Sequence, residues 1–118
     1  MGTASLVLAA LVAALHLYFL ILEMFLWTRP AGLRAFGQTR EQAEASRVLA
    51  ANQGLYNGFL AAGLVWSLVA PPDLARPLRI FFLCCVIAAG LYGGLTASRK
   101  ILVLQALPAA VALALVWV

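Results

Sequence analysis

Apolar residues fall into four long stretches, roughly 3–27, 48–70, 78–96 and 101–118, with one sizeable polar segment, 28–47, after the first. A membrane-crossing helix needs about 20 apolar residues at 1.5 Å rise each, so the pattern predicts four spans. The first stretch is read as a span rather than a secretory leader. It has no basic start, runs longer than a leader's apolar region, and carries His16 and Glu23.

Local signals place the helix ends. Arg29-Pro30-Ala31-Gly32 reads as a stop after the first helix, because proline lacks an amide donor and glycine tolerates the left-handed backbone. Thr39 followed by Gln42 fits a capping box, which predicts a second helix starting near Arg40, well before its apolar stretch. Pro71-Pro72-Asp73 ends that helix, and Pro77 sits where a first-turn proline would start the third. A tight turn around Ser98 to Lys100 leads into the fourth, where Pro108 must free the carbonyl of Leu104 and a mild kink is expected.

Composition agrees with this pattern. Of 118 residues, 65% are hydrophobic and only 10% charged, against about a quarter charged in a soluble domain. The mean hydropathy is +1.02. These values exclude a disordered chain, a disulfide-stapled secreted module and an ordinary soluble enzyme. The net charge of +4 does not point to nucleic acid, because the cations sit between apolar runs rather than along one face. They read as a topology signal instead. Connections one and three hold Arg29, Arg34, Arg40, Arg47, Arg99 and Lys100, against Arg76 and Arg79 on the opposite side. The excess predicts that both termini lie outside the cytoplasm and that the second helix extends into it, in a multi-pass membrane protein. Cys84 and Cys85, adjacent in an apolar stretch, support neither a disulfide framework nor a zinc site.

Polar side chains inside a span must find a partner or line a cavity, which makes them site candidates. His16 and Glu23 are seven residues apart and share a helix stripe, with His16 about 10 Å deeper. An ionised carboxylate in hydrocarbon is costly, so Glu23 is either protonated, open to water or paired with a base, for which Arg47 and His16 are the candidates. On the second helix Gln53 and Asn57 form an i, i+4 pair with Asn52 alongside. Tyr92 and Thr96 repeat that spacing on the third, and Gln105 lies one turn beyond Lys100 on the fourth. All four helices are therefore expected to bring polar atoms to the cytoplasmic leaflet. Gly54, Gly58 and Ala62, and separately Gly90 and Gly94, mark faces that allow close backbone approach.

The run Ala51-Asn52-Gln53-Gly54-Leu55-Tyr56-Asn57-Gly58-Phe59-Leu60-Ala61, with His16 and Glu23 before it, Cys85-Val86-Ile87-Ala88-Ala89-Gly90-Leu91-Tyr92-Gly93 after it and Gln105-Ala106-Leu107-Pro108-Ala109 near the end, resembles a known family. It is the bacterial domain of unknown function 1304, small four-span membrane proteins. The resemblance covers nearly the whole chain and implies the fold and a location in the bacterial inner (plasma) membrane, without an activity. A fainter similarity runs to the membrane-associated glutathione and eicosanoid enzymes, which have four spans and outside termini. Arg47, Asn52, Asn57 and Phe59 sit as that superfamily's second-helix motif has its Arg, two Asn and Phe. Tyr56 stands where its glutamate is expected, and its thiol-binding arginines are not evident.

Taken together, the residues predict an all-α, four-transmembrane-helix bundle in the lipid bilayer with a polar pocket toward the cytoplasmic leaflet. In the leading reading the pocket binds or transforms a lipophilic or amphipathic small molecule, with His16 and Glu23 as acid and base and Asn52, Gln53, Asn57, Tyr92 and Gln105 contacting the ligand. One alternative is a proton-coupled transporter using Glu23. Another is an assembly subunit, a homo-oligomer among the options, whose polar groups lock helices together. The residues leave any cofactor unknown, and one histidine, one carboxylate and amides make a poor transition-metal set unless a partner subunit completes it. Gly93-Gly94 has no following Lys-Ser or Lys-Thr, and no serine is placed as an elbow nucleophile. Nucleotide hydrolysis and serine-hydrolase chemistry are therefore poor fits.

Overall fold

The computed structural model describes all 118 residues, Met1–Val118. The chain is all-α, with helices α1 (Thr3–Met24), α2 (Pro30–Phe36), α3 (Arg40–Val69), α4 (Pro72–Thr96) and α5 (Leu107–Ala114). A π-helical segment, Leu102–Ala106, leads into α5, and a 3₁₀ turn, Leu115–Trp117, follows it. Two helices, α1 and α4, are long and apolar enough to cross a membrane, and the apolar helical run Leu102–Trp117 is shorter.

The polar connection is more structured than its sequence suggests. Arg29-Pro30 does stop α1, but Pro30 also opens α2, occupying a first-turn position where a missing amide costs nothing. Gly32 is not the left-handed residue. It is buried inside α2, where a Cβ would lie 2.0 Å from the Leu26 carbonyl oxygen, so its role is close approach. The left-handed cap belongs to Gly37, at φ 61°, where α2 ends and Gln38 N–H donates to the Leu33 carbonyl at 3.1 Å. The capping box forms as read. Thr39 N–H donates to Gln42 Oε1 at 3.0 Å, Gln42 N–H donates to Thr39 Oγ1 at 3.1 Å, and α3 starts at Arg40.

Two proline readings change. Pro71-Pro72 ends α3 and also starts α4, with Pro71 as N-cap, so Pro77 falls inside the helix rather than in its first turn. At Pro108 the helix widens before the ring. Leu107 N–H donates to the Leu102 carbonyl, an i to i+5 bond, so the π segment absorbs the missing donor and the crowding that proline brings.

The chain divides into two compact units. The first comprises Met1–Ala14 and Leu60–Val118. Its core is Val12, Ala13, Leu64, Leu83, Val86, Ala109, Ala112 and Val116. There α4 packs along the π segment and α5. Gly90 and Gly94 make this possible, since a Cβ on either would lie within 3 Å of Ala106 or Leu102. Gly2 N–H donates to the Val118 carbonyl at 3.2 Å, so the two ends of the chain meet. The second unit is Leu15–Phe59. It buries Leu22, Ala43 and Ala50, and Trp27 packs against Phe36 with the rings tilted at 50° and 4.8 Å between centroids, while its indole N–H donates to Ser46 Oγ at 3.1 Å. That ring and hydrogen bond hold α2 and the first turns of α3 to the end of α1.

Candidate functional site

The second unit holds a carboxyl and an amide in contact. Glu23, near the end of α1, is only 3% exposed, and Asn57 on α3 is 8% exposed; Asn57 Nδ2 donates a short hydrogen bond to Glu23 Oε1. The surrounding sequence explains why they meet. Gly54 lies three residues before Asn57, so the two share a helix side. A Cβ on Gly54 would fall 2.7 Å from Met24 Cγ and 3.0 Å from Glu23 Cβ, and one on Gly58 would fall 2.6 Å from Leu20 Cδ1. The Gly54–Gly58 step therefore lets the backbone of α3 come against Leu20, Glu23 and Met24, close enough for an amide side chain to reach the carboxyl.

His16 is fully buried on α1, with its ring edge-on to Phe19 at 5.5 Å. Seven residues separate it from Glu23, about 10 Å along the helix, so the two share a stripe without direct contact through the helix itself. Arg47, one of the bases considered for Glu23, is exposed, and the partner that the structure gives Glu23 is Asn57.

The remaining candidates are distributed differently. Asn52 and Gln53 occupy exposed positions of α3. A residue four places before Asn57 overshoots a full turn by about 40°, and here that step takes Gln53 off the buried side. Tyr92 and Gln105 belong to the other unit. Tyr92 is 74% exposed, and Thr96, its i+4 neighbour, turns its hydroxyl back to donate to the Tyr92 carbonyl at 2.7 Å. Gln105 is partly buried within the π segment.

One charged residue was misplaced by the sequence reading. Arg79, counted there among the connection charges, is 1% exposed. Its Nη1 donates to Ser5 Oγ at 3.2 Å and contacts the Met1 sulfur at 3.1 Å, Nη2 donates to the Ser67 carbonyl at 3.0 Å, and Nε approaches Ser67 Oγ at 3.4 Å. Ser67 in turn donates to the Leu64 carbonyl at 2.6 Å. All of these acceptors are neutral. Because α3 ends at Val69, the Ser67 carbonyl is one of the helix's unpaired last four, and a cation there also meets the negative end of the helix dipole. The signal was Pro71-Pro72: once α4 starts there, Arg79 lies two turns inside it. Glu23 and Arg79 are thus both buried ionisable residues.

Comparison with known proteins agrees with the residue pattern. The family model described as protein of unknown function (DUF1304) matches residues 10–117. The uncharacterized protein YpaA of Lactococcus lactis subsp. lactis (strain IL1403) is 34% identical over 106 residues, 86% of each chain. No solved structure matches. Neither comparison supports the fainter similarity to glutathione and eicosanoid enzymes. The matched stretch contains His16, Glu23, the Asn57 segment and Arg79, so the buried polar groups lie within what the family model covers, and the chain belongs to the DUF1304 family of proteins of unknown function.

Proposed function

We propose that the protein is a four-span protein of the bacterial inner membrane, with both termini outside the cytoplasm, and that the Glu23–Asn57 pair is the polar centre of an intramembrane site for a lipophilic or amphipathic small molecule. The observation that carries this reading is selective burial. Of the four carboxylic side chains, Glu41, Glu44 and Asp73 are exposed and Glu23 alone is buried, against a neutral amide. Burying such a group against one neutral amide costs stability, so its presence there makes it a site candidate by default.

Several features support the membrane placement. Large apolar residues such as Val48, Leu49, Val69 and Leu95 are each at least 75% exposed, a surface that lipid covers at no cost and water does not. The hydrogen bond between Gly2 and Val118 puts these residues at one end of the first unit, in keeping with an even number of crossings. In this reading the apolar second half of α3 and the shorter apolar run Leu102–Trp117 serve as two further crossings beside α1 and α4, and the arginine and lysine asymmetry gives the direction.

In this site Glu23 holds or exchanges a proton with the ligand's polar group, Asn57 fixes the carboxyl's orientation, and His16 lies deeper on the same stripe as a second acid–base group. A second reading, proton-coupled transport through the same carboxyl, draws on its being the single buried acid in the first span. Extraction of the protein with its native lipid, followed by native mass spectrometry, separates these from a structural role. A retained lipophilic species on the wild type that disappears in Glu23→Leu, with the helical signal intact, is the expected result. Identical spectra for the two proteins would contradict the site.

A further inference from the structure

A second polar feature lies in the first unit and uses none of the residues of the Glu23 site. A cavity of about 420 Å³ is lined by Met1, Pro72, Asp73, Arg76 and Pro77. Behind Met1 lies Arg79, whose guanidinium is buried among neutral acceptors only. One of its Nη1 contacts is to the Met1 thioether, a weak acceptor on a flexible, 40% exposed side chain. Arg76 stands three residues earlier on α4, a neighbouring position on the helix surface; it is exposed and lines the cavity, while Arg79 is buried next to it beneath Met1.

We propose that this cavity takes a phosphate-type oxyanion, which displaces the Met1 sulfur from Arg79 Nη1 and is held between Arg79 and Arg76. A planar guanidinium bonds an oxyanion far better than it bonds a thioether, and charge-assisted hydrogen bonds are about twice as strong as neutral ones. Arg79 is already fixed by Ser5 and Ser67, so little side-chain freedom is lost when the anion binds. Asp73 on the cavity wall opposes the anion and keeps the site exchangeable. The same phosphate chemistry is offered by an anionic phospholipid headgroup and by free phosphate.

The test uses the full-length protein in neutral detergent, with thermal unfolding followed at increasing concentrations of two probes: phosphatidylglycerol, with phosphatidylcholine as control, and inorganic phosphate. Arg76→Gln and Asp73→Asn alter exposed residues, so both proteins fold. A saturable rise in midpoint is expected, weakened about tenfold by Arg76→Gln and strengthened several-fold by Asp73→Asn. A response to phosphatidylglycerol alone identifies a lipid headgroup, and an equal response to inorganic phosphate identifies a free oxyanion. No response to either probe, or one that neither substitution changes, overturns the proposal.

Discussion

Arg79→Ala lowers the unfolding free energy of the detergent-solubilised protein by about 2–4 kcal/mol, the largest effect expected of any single substitution outside the tightly packed glycines. The side chain joins three places in the first unit: Ser5 at the start of α1, Ser67 in the last turn of α3, and its own helix α4. Truncation leaves a buried carbonyl and two buried hydroxyls short of a donor and removes the cation from the end of α3. Arg79→Lys keeps the charge but not the fork, which reaches Ser5 and Ser67 at once, so it recovers only part of the loss. Denaturant titration of the three proteins checks this. An alanine variant as stable as the wild type would show that the buried guanidinium holds nothing together.

Asn57→Leu is the second. It leaves a buried carboxyl oxygen without its donor and costs about 1–3 kcal/mol. The partner substitution Glu23→Leu orphans the amide and costs a similar amount. The double variant, in which neither polar group remains, recovers much of the loss, because replacing both members of a buried pair removes the desolvation penalty with the bond. Losses that simply add in the double variant would mean that the two side chains do not act as a pair.

Much of this was legible in the residues, and the failures have definite causes. The capping box at Thr39 and Gln42 is a local motif, decided by four consecutive residues, and it forms as read. The glycine step at 54 and 58 was legible as a close-approach face, and it is what brings Asn57 to Glu23. Proline was harder, because the same residue can end one helix, begin the next or sit inside one. Reading Pro77 rather than Pro72 as the start of the third helix put Arg79 in its first turn, at the end of the span, and a buried cation passed for a topology charge. Sequence spacing also suggested that Gln53 and Asn57 share a face. Which side of a helix is buried is decided by tertiary packing, and here Gly54, not Gln53, lies on the side of Asn57.

The central claim is that Glu23 is kept in the interior for its chemistry rather than for its contribution to packing. Glu23→Gln tests this most directly. Glutamine has the same shape and its amide oxygen still accepts the bond from Asn57, but it cannot exchange a proton. Unfolding midpoint and retained lipophilic ligand are measured on the same preparation. A midpoint close to wild type with the ligand lost is the predicted result. An equally stable protein that keeps the ligand at the wild-type level would contradict the account, leaving Glu23 as interhelical glue.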